Sequence, residues 1–511
     1  MGAEGIADEQ TSVDAAPEQR GAGGLWSPQR RALSTGLVLT ITFIASEALA
    51  VITIMPVVAR DLGGLSLYGW VFSAFMLGNV IGIVAAGRQA DRYGPARPFL
   101  GGLALFCAGL AIAGSAPTML VLVGGRALQG IGAGAVPAIA YVAIGRSLPE
   151  NLRARMMAVL STAWVLPGMI GPAVSVTVAR FFGWRAVFLG LIPLVIFTGA
   201  LALPALFRLG RPRQGDASPA SRPGSEHRVI DGLATAAGAG LTLAGLTRVA
   251  GAGHGVSQVL VGLGLLAAGI AAMGASLRRL LPAGTFSARR GLPDVILCRG
   301  LLTFTFFGAD AYVTLTITTV RHHSPALAGV AVTGATLAWT AGAWVQARLN
   351  NRVEARRLIG SGLTVIVIGL AALALVLLPA VPVYTGLAAW TVAGFGMGLA
   401  YAPISLLMLR EAPEGREGWA SASLTLADVL GTALGIGAGG AAVAAATAHG
   451  WPLAAGVGGA FAIAGAGGIA LARASRRLPP TRQGSYAGPG SASSREISGS
   501  GPARSSGAAG V

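Results

Sequence analysis

The chain alternates long apolar blocks with short polar breaks. Fourteen blocks come close to or exceed the roughly 20 apolar residues that a helix needs to span a bilayer. They fall at 34–58, 67–86, 99–115, 118–145, 156–179, 185–207, 230–250, 256–275, 293–319, 325–346, 358–379, 382–409, 419–446 and 452–472. The pattern predicts an all-α polytopic membrane protein with 14 transmembrane helices. Longer polar stretches mark its divisions: a tail at 1–32, a linker at 209–228 and a second tail at 476–511. Between them lie a six-helix half at 33–208, two inserted helices with their loop at 229–290, and a second six-helix half at 291–475. The last tail is rich in Ser, Gly, Pro and Arg, a composition that cannot form a core and predicts disorder.

Composition changes the picture in two ways. Only 11% of the 511 residues are charged and 53% are hydrophobic, with a mean hydropathy of +0.68. A soluble domain carries about 25% charged residues, so most of this chain has lipid as its solvent. The net charge of +17 would suggest a nucleic-acid partner in a soluble protein. Here the arginines sit in short loops between apolar spans, which points to the bilayer and excludes nucleic acid. All 37 basic residues are arginine. With the excess of Ala and Gly, this places the chain in the plasma (inner) membrane of a GC-rich bacterium.

The arginines also orient the spans. With the N-terminus in the cytoplasm, 22 arginines fall in cytoplasmic segments, among them Arg88, Arg146, Arg278, Arg348 and Arg410. Five fall outside: Arg60, Arg180, Arg185, Arg248 and Arg321. That bias is the positive-inside pattern, and it puts both termini in the cytoplasm. The first thirty residues lack the basic start and apolar core of a cleaved signal, so the first span itself directs insertion.

The two halves repeat. Gly-Arg-Gln-Ala-Asp-Arg-Tyr-Gly-Pro-Ala-Arg at 87–97 recurs, degraded, at 347–357, an offset of 260. Independently, Arg126-x-x-x-Gly130-x-Gly132-x-Gly134 meets Trp390-x-x-x-Gly394-x-Gly396-x-Gly398 at an offset of 264, with Arg146 matching Arg410 and Pro149 matching Pro413. Parallel repeats of this kind place a substrate site near the membrane midplane between them.

Three acids lie inside apolar spans: Glu47, Asp310 and Asp428. A carboxylate held away from water can carry a proton near neutral pH, and it attracts cations. Glu47 and Asp310, in the first helix of each half, are the first candidates for proton or substrate binding. Asp428 is a further candidate, or a latch partner or helix cap. Arg126 lies about eight residues into its span, where an arginine costs about 2.5–3.5 kcal/mol and marks a functional position. Asp294 and Arg299 suggest a structural pair. Cys107 and Cys298 lie in separate spans and predict two buried thiols, not a disulfide. The five histidines fall in loops or at span ends, so no metal site is expected. No phosphate-binding Gly-Lys-Ser/Thr loop is present, which argues against ATP as the energy source. A membrane enzyme would need catalytic acids, His or Cys clustered near one interface; none is seen, and no cofactor is called for.

The segment at 87–97 resembles the signature turn between helices two and three of the major facilitator superfamily. Gly87, Asp91, Arg92, Gly94 and Arg97 carry the match. The resemblance implies a cytoplasmic gating turn that latches the halves when the carrier opens outward. Gly87 and Gly94 would let the helix ends pack tightly, with Gly94 free to take positive φ. In the second copy Asn351 and Glu354 replace the aspartate and a glycine, which implies a weaker latch. The stretch from Arg126 to Gly134 resembles the arginine motif of the superfamily's drug–proton antiporters, in which the guanidinium is linked to proton transfer. Leu166–Ser175 resembles their antiporter helix motif at Gly168, Gly171 and Pro172, although Ser175 stands where that family usually has glycine.

These features together resemble the fourteen-helix drug–proton antiporter branch. The resemblance implies proton-coupled export of amphiphilic small molecules by alternating access, with substrate and protons as partners and a monomer as the working unit. Arg126 would adjust the proton affinity of the acid. Glu47→Gln is expected to abolish coupled transport and leave folding intact. The alternative is a carrier of the same fold taking up a sugar, organic acid or other metabolite.

Overall fold

The computed structural model describes residues 25–28, 30–148, 150–210, 225–252, 255–349, 352–413 and 416–478. Both tails beyond these limits, most of the 209–228 linker, and Asn351 of the second loop copy lie outside the described residues.

Among the described residues there are sixteen α-helices and no strands. The first half contains α1 (Arg31–Leu62), α2 (Tyr68–Tyr93), α3 (Ala96–Gly114), α4 (Met119–Ser147), α5 (Glu150–Thr162), α6 (Val165–Phe182), α7 (Arg185–Leu189) and α8 (Leu191–Arg208). The inserted pair is α9 (Ser225–Gly251) and α10 (Val256–Leu280). The second half contains α11 (Leu292–Leu315), α12 (Pro325–Leu349), α13 (Ala355–Leu375), α14 (Val383–Glu411), α15 (Glu417–Ala448) and α16 (Leu453–Ser475). A π-helical turn, Thr316–Val320, extends α11. Fourteen of these segments are long and apolar enough to cross a membrane.

Two predicted spans are broken. The fifth divides at Ala163–Trp164 and the sixth at Gly190. The cause is local: Pro167 and Pro193 each lack an N–H, and each ring crowds the carbonyl four residues back, at Ala163 and Leu189. The signature turn is also shorter than 87–97. α2 continues through Tyr93, so Gly87–Tyr93 is helical. Gly94 ends the helix at φ 82°, Pro95 follows, and α3 begins at Ala96.

The repeat is legible atom by atom. A Cβ on Gly130 would strike the backbone of Phe75, and one on Gly134 that of Asn79, both in α2. One on Gly132 would strike Gly102 and Phe106 of α3. In the second half Gly394, Gly398 and Gly396 stand in the same relation to Ala335, Trp339 and the Gly362/Ile366 pair. The partners on α12 and α13 lie 260 residues after those on α2 and α3, and the glycines lie 264 apart. The four additional residues therefore fall between α13 and α14, and the packing inside the membrane is unchanged.

The halves meet where α2 packs on α15 and α6 packs on α12. α9 lies against both α2 and α15, so it sits across this seam; the main packing partner of α10 is α9. Backbone-to-backbone approach at Gly238, Gly245, Gly262 and Gly269 zips the inserted pair together. Thr235 donates to Ser276 at 2.8 Å, and Asp231 pairs with Arg279 at 3.2 Å.

Among the described residues, three cross-half hydrogen bonds gather toward the end of the bundle where α1 finishes and α2 starts. Tyr68 donates to the Ala311 carbonyl at 3.2 Å, Ser73 to Ala433 at 2.9 Å, and Thr314 to Ile52 at 2.9 Å. Between them the Gly69 and Gly440 backbones touch, leaving no room for a side chain on either.

Candidate transport site

Glu47 lies halfway along α1 and is 1% exposed. Arg126, the eighth residue of α4, reaches across to it and is 2% exposed. Its Nη1 donates to Glu47 Oε1 and, at 2.8 Å, to Gln129 Oε1. Its Nε donates to the Val71 carbonyl at 3.3 Å, and its carbon centre lies 4.1 Å from the Phe75 ring centroid. A buried guanidinium needs both a counter-charge and donors matched to acceptors, and this one has an anion, two oxygen acceptors and an aromatic face. Glu47 Oε2 and Gln129 Nε2 are buried without a partner.

The second half builds the same crossing with different chemistry. Asp310 on α11 is 7% exposed and accepts a 2.8 Å hydrogen bond from the indole of Trp390. Trp390 is the eighth residue of α14, the place that Arg126 holds in α4. Phe306 stacks on Trp390 at 4.9 Å, and Trp339 meets Phe306 edge-on at 5.7 Å. Tyr401 follows Trp339 at 5.4 Å. Its hydroxyl donates to Asp428 Oδ2 at 2.9 Å, and the Arg299 guanidinium lies 3.5 Å above its ring. An aromatic row thus leads from one acid to another.

Three expectations need correction. Arg299 does not pair with Asp294; it lies 4.0 Å from Asp428 and donates to Ser405. Five residues of helix set Asp294 and Arg299 on different faces, whereas pairs need a spacing of three or four. Asp428 does not cap a helix either, since it is the twelfth residue of α15 and bonds to Tyr401. Cys298 is buried, but Cys107 is only half-buried; both are free.

The motif residues separate into two groups. Gly168 packs so closely on Thr336 of α12 that a side chain would displace it, and Pro172 lies beside Gly329. Gly171 faces Leu49 at ordinary contact distance. Gly168 and Pro172 thus form part of the seam, whereas Gly171 faces α1 of its own half. At the other end of the bundle, Arg92 and Arg97 stand 5.1 and 5.9 Å from the Tyr93 ring centroid. A Cβ on Gly87 would meet nothing within 4 Å, so close packing is not the reason for glycine there. The Asp91 side chain lies outside what the structure describes. Among the described residues no group of His, Cys, Asp and Glu could hold a metal.

Sequence reading missed the roles of Phe306, Trp339, Tyr401 and Arg299. One signal was available: Trp390 occupies the repeat position of Arg126. An indole in place of a guanidinium implies that the facing acid has a different partner.

A polytopic membrane carrier with two repeated halves is the class that this architecture defines. The Major Facilitator Superfamily profile matches residues 35–308, more than half of the chain, and the chain belongs to that family. A probable multidrug-efflux transporter of Mycobacterium tuberculosis (strain ATCC 25618 / H37Rv) is 28% identical over 472 residues, covering 88% of this chain and 96% of the relative. Multidrug resistance protein 3 of Bacillus subtilis (strain 168) is 34% identical over 173 residues, 34% of this chain and 33% of that protein. Among solved structures, a POT family transporter in complex with 5-aminolevulinic acid aligns with a TM-score of 0.62 at 13% identity, covering 86% of this chain and 94% of that one. A D-xylose-proton symporter aligns with a TM-score of 0.57 at 16% identity, covering 90% and 100%. At these identities the structural likeness concerns the fold alone.

Proposed function

We propose that this carrier exports amphiphilic small molecules across the plasma membrane in exchange for protons, working as a monomer by alternating access. The observation that carries the reading is Asp310. It is an acid in the bundle interior whose hydrogen-bond donor is a neutral indole and not a cation. A carboxylate in that position favours a positive partner, either a proton or the charged end of a substrate. Competition between the two for one site couples their movements in opposite directions. Glu47 is held by Arg126 in the equivalent crossing, and the pair neutralises itself. The long alignment with a multidrug-efflux relative supports export over uptake.

Alternating access draws support from the seam. Among the described residues, three cross-half hydrogen bonds gather near the end of the bundle where α1 finishes. With the termini in the cytoplasm, that end faces outward, and the conformation is closed to the outside.

The test uses purified protein in liposomes that hold a pH-sensitive dye. A proton gradient is imposed and lipophilic cations are added. Substrate-triggered proton movement is expected in the wild type, and Asp310→Asn should reduce it to the protein-free baseline. Undiminished proton movement in Asp310→Asn would reject Asp310 as the shared site.

A further inference from the structure

We infer that Arg299 is a recognition point for an anionic group, most simply a carboxylate, on the transported molecule; the inference rests on the export reading above. Arg299 is 2% exposed, in the second turn of α11. Its Nη2 donates to Ser405, and its plane rests on Tyr401. Nε and Nη1 are buried with no hydrogen-bond partner. The nearest carboxylate, Asp428, does not supply one. Its Oδ2 is taken by the Tyr401 hydroxyl, and its Oδ1 stands 4.0 Å from Nε, beyond hydrogen-bond reach, and is itself unpartnered.

This arrangement contrasts with Arg126, where the guanidinium is met by an acid, an amide oxygen and a carbonyl. A buried guanidinium with unmatched donors is costly. Each of the two unmatched N–H groups can donate to an oxygen of an anionic group, and a hydrogen bond from a charged donor to an anion is the strong kind. The site is also linked to the interior acid by side-chain contacts. The side chain of Asp428 is 26% exposed, Tyr401 and Trp339 are half-buried, and the aromatic row runs from Tyr401 to Trp390 and Asp310. Along α11, Arg299 and Asp310 are separated by about 16 Å at 1.5 Å per residue. A molecule with a cationic end, flat rings and an acidic end would find a partner for each part. Asp428, close to the anion's place, opposes it by charge and limits affinity.

The test compares a cationic xanthene dye bearing a free carboxylate with the same dye as its methyl ester. Binding of each to the full-length carrier in nanodiscs is read by fluorescence anisotropy. The wild type should bind the acid at least as tightly as the ester. Arg299→Gln should weaken the acid about tenfold, or about 1.4 kcal/mol, and leave the ester unchanged; ester binding also reports that the variant is folded. Asp428→Asn should tighten the acid several-fold and not the ester. If Arg299→Gln does not fold, the Asp428→Asn comparison and the wild-type ratio still decide. Ester binding with no acid binding in the wild type would overturn the inference and leave the export reading standing. Equal effects of Arg299→Gln on both dyes would overturn it too, as would acid binding unmoved by either variant. Failure of both dyes to bind would overturn the inference together with the export reading for this class.

Discussion

The two halves use one scaffold to hold two acids in different ways. In each, the first helix presents an acid to the eighth residue of the fourth. In the first half that residue is Arg126, and acid and base neutralise one another. In the second it is Trp390, which gives one N–H and no charge. The Coulomb energy of the first pair stays within the protein. In the second, the hydrogen bond to the acid brings no opposite charge. The duplication thus preserved the packing and changed the chemistry: one crossing holds an ion pair, the other an acid whose donor is neutral.

The largest test of this contrast removes the cation. Arg126→Met leaves Glu47 buried and uncompensated, and should cost about 3–5 kcal/mol. Thermal unfolding of the purified protein checks this, and adding Glu47→Gln should recover most of the loss. A double variant no more stable than Arg126→Met would mean that charge pairing is not what holds this crossing. Glu47→Gln by itself strands Arg126, so it should lower stability as well, contrary to the expectation from sequence. Next in size, Trp390→Phe keeps the ring against Phe306 and deletes the N–H. It should cost about 1.5–3 kcal/mol, the range for a hydrogen bond to a charged group, and a loss under half of that would show that Asp310 is satisfied by other means. The smallest effect belongs to the seam. Ser73→Ala removes one neutral hydrogen bond to Ala433 and should cost about 0.5–1.5 kcal/mol. In compensation, outward-facing positions should react faster with a thiol reagent in single-cysteine variants; no change in labelling would dissociate Ser73 from closure.

Span count and repeat were legible because lipid imposes a length and a hydropathy on every helix, and duplication leaves matching glycines. Even the four-residue difference in offset was visible, and the structure gives its cause. Helix breaks were less so, although Pro167 and Pro193 stand where the chain bends. Side-chain partners were largely hidden. Glu47 and Arg126 could each be singled out as a charge in an apolar span, but their contact joins residues 79 apart. Asp294 and Arg299 were paired by nearness in sequence, which a helix does not respect. The aromatic row could not be read at all, because its members come from three helices of the second half.

The closed end of the seam is fastened by hydroxyls that donate to backbone carbonyls. Elsewhere in the same helices, threonines turn to their own chain: Thr53 donates to Leu49 at 2.9 Å, and Thr318 to Thr314 at 2.7 Å. A serine or threonine released from the opposite half has the same option four residues back; the Ile52 carbonyl does not, because the donor position of its own helix is Pro56, which has no N–H. Parting the halves therefore exposes no bare charge and leaves Ser73 and Thr314 an acceptor in their own helices, but it costs the hydrogen bonds of the Tyr68 hydroxyl and the Ile52 carbonyl. The seam is joined at this end by a few neutral hydrogen bonds, whereas the buried ion pair of Glu47 and Arg126 lies within a single half.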